Sequence, residues 1–126
     1  MSILPQTQLG TWPKIENPVL DKIDLSLGLI LVGLVEEIIF RGLCVRLLRK
    51  YFSSVWVVFF LSSLIFGLIH WSLGLHAIIT TALWGILPLM VMWKTGSVIP
   101  SIVAHIVTNV ISFSGVTPEH WFHFLP

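Results

Sequence analysis

Residues 25–48 read LSLGLILVGLVEEIIFRGLCVRLL, an apolar stretch interrupted near its middle by Glu36, Glu37 and Arg41. About 20 apolar residues in a helix cross a hydrocarbon core of about 30 Å, so length and composition together predict a membrane helix. An ionisable side chain at a helix centre costs roughly 2.5 to 3.5 kcal/mol on insertion scales. Three of them between Glu36 and Arg41 therefore require mutual pairing, a function, or both.

Working outward, three more apolar segments follow, and the predicted helices cover 24–48, 55–71, 75–93 and 98–114. Short polar or glycine-containing breaks separate them: Arg49 to Ser54, Ser72 to Gly74, and Lys94 to Ser97. Lipid offers backbone groups no hydrogen-bond partners, so spanning segments must be helical. Pro100 suits a first helical turn, whereas Pro88 should kink the third helix. The predicted fold class is all-α: a polytopic membrane protein, one domain over residues 1–126, built as a bundle of about four transmembrane helices. Residues 1–23 contain Pro5, Pro13 and Pro18 with mixed charges and lack the basic start of a signal peptide, which makes them an extramembrane or interfacial lead-in. Residues 115–126 place Trp121, Phe122 and Phe124 beside Glu119, His120 and His123, a composition that favours an interfacial tail over a metal site.

Composition agrees with a membrane class. The chain of 126 residues is 56% hydrophobic and only 10% charged, with a mean hydropathy of +0.94, against about 25% charged residues in an ordinary soluble domain. Net charge is +1 and the basic residues form no stripe, so nucleic acid is not an expected partner. Membrane lipid is. The single cysteine, Cys44, has no internal disulfide partner and reads as a small core residue. Arg46, Arg49 and Lys50 follow the first helix and Lys94 the third, which directs those two connections toward the cytoplasm and both termini outside. Four helices are few to enclose a site, so association with a second copy or another subunit is also open.

Polar residues inside the helices fall into pairs at i and i+4: Glu37 with Arg41, Phe66 with His70, His105 with Asn109. Each pair projects from one side of its helix. Glu37 is one turn from Arg41, while Glu36 lies five residues away and roughly 140° around the helix. The spacing thus makes Glu37 the ion-pair partner and Glu36 the free carboxylate, a candidate general base. His70 and His105 can meet Glu36 if the helices bundle, and two chemistries fit such a set. One is a zinc site of two histidines and a glutamate with an open position for water; the other is a metal-free site in which carboxylate and imidazole activate the water. Asn109, one turn beyond His105, is placed to donate to an oxyanion. A buried ion-pair network fixing helix register explains Glu37 and Arg41 but leaves Glu36 without a role. A proton pathway through Glu36 and the histidines leaves Asn109 without one. Gly33, Gly42 and Gly67 are candidate points of close helix approach.

Glu36-Glu37-x-x-x-Arg41, Phe66-x-x-x-His70 and His105-x-x-x-Asn109, in that order on successive apolar segments, resemble the three motifs of the CPBP family, the CAAX endopeptidases and bacteriocin-processing or immunity proteins also called the Abi family. The resemblance covers about Leu25 to Phe113. It implies an intramembrane endopeptidase, multi-pass in a prokaryotic cell membrane, acting on a membrane-associated peptide or protein. In that reading Glu36 and His70 activate the water, His105 and Asn109 stabilise the oxyanion, and Glu37, Arg41 and Phe66 support them. It implies no metal, with a zinc-dependent version as the alternative, and a noncatalytic immunity or interaction protein on the same scaffold as a different class of function. Members of that family commonly carry further membrane helices before the Glu-Glu motif; here about two dozen residues precede the first helix. The charge-based orientation sets the His70 end away from the cytoplasm, which argues against a cytosolic prenylated substrate.

Overall fold

A computed structural model describes residues 14–113, and every regular element among them is helical. The tail expected at 115–126, including His120 and His123, and most of the lead-in lie outside the described residues.

The first helical run starts inside the segment read as a lead-in, at α1 (Pro18–Ile23) rather than at Asp24. The cause is a cap the hydropathy pattern does not register. The Asn17 side chain accepts hydrogen bonds from the Val19 and Leu20 amides at 3.0 and 3.2 Å, and Pro18, which has no amide hydrogen to lose, occupies the first turn. The run continues through a wide π-type segment, Asp24–Gly28, into α2 (Leu29–Glu37), a second π-type segment, Ile38–Cys44, and α3 (Val45–Tyr51). In the second wide segment the Val45 amide donates to the Phe40 carbonyl five residues back. Such bulges shift the helical face and often sit at functional sites. The run ends when Phe52 turns extended, three residues past the predicted end at Leu48.

Helix α4 (Val55–Leu68) stops short of the predicted Trp71 because His70 enters a turn and Trp71–Leu73 winds as a 3-10 helix. The predicted third span is α5 (Leu75–Trp84) followed by α6 (Ile86–Thr95). The break falls at Gly85, three residues before Pro88, whose missing N–H deprives the preceding turn of a rung. Gly96, at φ 68°, ends α6, and α7 (Val98–Phe113) follows. Leu75–Thr95 is the one helix among the described residues that is long and apolar enough to cross a membrane, with a mean hydropathy of 1.8 over its best window. The expected second and fourth spans are apolar but short, 14 residues in α4 and 16 in α7, or about 21 and 24 Å at 1.5 Å per residue.

Helix α4 packs on α5, and α7 receives both α2 and α6, so the carboxylates of α2 face the histidine of α7. At Gly67 a Cβ would come within 2.5 Å of the Ile78 carbonyl and 2.8 Å of Ala82, which lets α4 and α5 approach closely. Gly33 meets Ile106 in the same way, whereas Gly42, expected to do likewise, has no such neighbour within 3.4 Å. A small apolar cluster of Val45, Val58 and Leu89 closes one end of the bundle, where Arg49 also stacks over Trp93 at 4.9 Å. That contact brings the first and third connections to the same end.

Polar and apolar residues share the interior, and large apolar side chains cover much of the exterior. Glu37, Arg41, Ser62, Ser63, Thr80, Ser101 and His105 are buried, while Leu31, Leu43, Trp56, Phe60, Ile99 and Val103 stand more than half exposed. Charged groups held inside and a broadly apolar exterior are what a hydrocarbon solvent favours.

Candidate active site

The site is assembled around Glu37, which is fully buried. Its Oε1 lies 3.2 Å from Arg41 Nη1 and accepts a hydrogen bond from His105 Nδ1 at 2.6 Å. Its Oε2 accepts from the Ser101 hydroxyl. One carboxylate thus ties α2 to the adjoining wide turn through Arg41 and to α7 through Ser101 and His105. Charge-assisted bonds of this kind are about twice as strong as neutral ones.

Arg41 reaches beyond its helix. Nη2 donates to the Gly85 carbonyl at 2.6 Å, at the break in the third span, and the guanidinium lies over the Phe66 ring at 4.4 Å. Gly85 is required here, because a Cβ would sit 2.7 Å from Phe66 Cδ1 and 3.0 Å from Arg41 Nη2. Phe66 is the aromatic centre of the site. It packs edge-on against Phe40, His70 and His105, with centroid distances of 5.2, 5.4 and 6.0 Å.

Glu36 follows one residue before Glu37 and turns to the other side of the same imidazole. Its Oε2 is 3.6 Å from His105 Nε2, longer than a direct hydrogen bond. Its side chain is 20% exposed, against 0% for Glu37. His105 therefore stands between two carboxylates, one sealed and one open. His70 lies close enough to Glu36 to interact with it electrostatically, and its Nδ1 is 3.1 Å from the Phe66 carbonyl. A carbonyl only accepts, so Nδ1 carries the hydrogen and Nε2 of the neutral ring keeps its lone pair. Asn109 sits one turn beyond His105 on α7, half-buried, and its amide makes no hydrogen bond to a described residue.

The structure thus joins Glu36, Glu37, Arg41 and His105 by direct contact, with Phe66 against Arg41, His70 and His105. Two features were not legible beforehand. Spacing alone assigns Glu37 to Arg41, yet Glu37 also holds His105 and Ser101. Ser101 was missed, although it stands one turn before His105 on the same face, a position the i, i+4 rule would have flagged. Cys44, read as a core residue, is half-buried.

Among the described residues, no three His, Cys, Asp or Glu side chains form a group suited to hold a metal ion. Nδ1 of both site histidines faces a protein acceptor, a carboxylate in His105 and a carbonyl in His70, so each ring turns its Nε2 into the site.

Residues 19–111 match the family model described as type II CAAX prenyl endopeptidase Rce1-like, and the chain belongs to that family. It is a membrane-associated family of proteases, which agrees with the resemblance carried by the three motifs. Neither curated proteins nor solved structures gave a match.

Proposed function

We propose that the protein is a multi-pass intramembrane endopeptidase that hydrolyses a peptide bond with a water activated by Glu36 and His70. The observation that carries this reading is the division of labour between adjacent carboxylates. Glu37 is sealed and fully engaged, whereas Glu36 is partly open and faces His105 without a direct hydrogen bond. A water held by Glu36 and the Nε2 lone pair of His70 gives its proton to Glu36 as its oxygen attacks the scissile carbonyl carbon. The resulting oxyanion takes hydrogen bonds from the uncommitted amide of Asn109 and from Nε2–H of His105, a role that requires the imidazolium form, with Nδ1–H still donated to Glu37. Collapse breaks the C–N bond, Glu36 returns the proton to the leaving amine, and the products are a carboxyl and an amino terminus. No step is routed through a metal.

Membrane insertion is supported by the apolar exterior, by the apolar Leu75–Thr95 helix and by the family. The short helices α4 and α7 would be matched by local thinning of the bilayer around them, at a cost of fractions of a kcal/mol per Å. The substrate class is a membrane-associated peptide or protein. Peptide profiles of membranes from cells carrying the native chain and Glu36→Gln test the reading and name the substrate together. A product that disappears in the variant supports proteolysis, and identical profiles count against it.

A further inference from the structure

Taking the endopeptidase reading as its basis, we infer that Ser101 is a positioning residue that sets the direction of the His105 ring by fixing Glu37 against the bend of the third span. Ser101 is completely buried on α7. Its single hydroxyl hydrogen lies between two acceptors, Glu37 Oε2 and, at 2.9 Å, the carbonyl of Pro88, and is shared by them. The first contact belongs to the carboxylate that receives His105 Nδ1, and the second to the proline responsible for the irregular helix. Arg41 makes a parallel link from the other carboxylate oxygen to the Gly85 carbonyl, three residues earlier on the same bend. Glu37 is therefore held at both oxygens by groups anchored to one short backbone segment. A carboxylate with one of those anchors removed can rotate about its terminal torsion, which is soft and broad. His105 Nδ1 then loses its fixed acceptor, and Nε2 loses its direction toward Glu36.

The test uses the full-length protein in detergent, with ¹⁵N-labelled histidine, comparing the parent, Ser101→Ala, Ser101→Thr and Glu36→Gln. The expected result has two parts. In Ser101→Ala the His105 Nδ1–H resonance shifts or broadens while the His70 signals stay in place, and kcat falls about tenfold with KM changed less than about twofold, the scale typical of groups that orient a site residue. Ser101→Thr, which keeps the hydroxyl, restores the parent signal. An unmoved His105 resonance in Ser101→Ala overturns the inference, as does a Thr variant that behaves like Ala. The resonance is read without any cleavage assay, so the inference can fail or stand by itself. Absence of cleavage by the parent would instead remove the endopeptidase reading, and full activity in Glu36→Gln its assignment of Glu36 as the base.

Discussion

His105 Nδ1 is 2.6 Å from Glu37 Oε1, and this contact joins the first and last helices of the bundle at the centre of the site. It changes the role of Glu37. Beyond pairing with Arg41, the carboxylate orients a histidine whose other nitrogen faces Glu36.

Glu37→Gln should therefore damage stability and catalysis together. The amide cannot balance the buried guanidinium of Arg41, and removing one partner of a buried pair costs about 3 to 5 kcal/mol. It also presents an NH2 group to neighbours that are donors: Arg41, Ser101 and His105. Thermal unfolding in detergent measures the first effect and peptide cleavage the second. An unchanged melting temperature would contradict the role given to Glu37.

Two glycines that look alike in the sequence should respond in opposite ways. Gly85→Ala drives a methyl group toward Phe66 Cδ1 at 2.7 Å and Arg41 Nη2 at 3.0 Å, and overpacking of this kind costs about 1 to 3 kcal/mol. Gly42→Ala meets nothing closer than the Glu37 carbonyl at 3.9 Å, and within a helical segment it should be neutral or gain about 0.5 to 1 kcal/mol. Parallel unfolding curves decide the matter, and equal effects at the two positions would contradict the packing described.

Asn109→Ala should separate chemistry from stability. Its amide has no hydrogen-bond partner among the described residues, so its loss should leave the melting temperature within experimental scatter. Removal of an oxyanion donor costs about 10² to 10³ in kcat. A stability loss equal to that of Glu37→Gln would show that Asn109 is a structural residue.

Much of this was legible because apolar helices expose their logic to simple spacing. The pairing of Glu37 with Arg41 and the shared face of Phe66 and His70 follow from the helical repeat. Helix limits were less legible where local bonds override hydropathy. Asn17 and Pro18 start the first run early, and the turn at His70 ends the second helix before its apolar residues run out. The break at Gly85 was foreshadowed by Pro88, but its use was not. The pattern says that a proline disturbs a helix, and only the fold says which side chain takes the carbonyl. Ser101, although at i, i+4 spacing from His105, was passed over for a similar reason. A serine in an apolar helix reads as a small packing residue until a carboxylate from a distant segment is placed against it.

The most direct measurement is peptide-bond cleavage by the purified chain reconstituted in proteoliposomes, comparing the parent with Glu36→Gln at equal folded protein. Glu36 is the open member of the carboxylate pair, 3.6 Å from His105 Nε2, and its replacement leaves the contacts of Glu37 with Arg41 and Ser101 untouched. The expected result is a folded variant with cleavage reduced to background. Cleavage at the parent rate would contradict the assignment of Glu36 as the base.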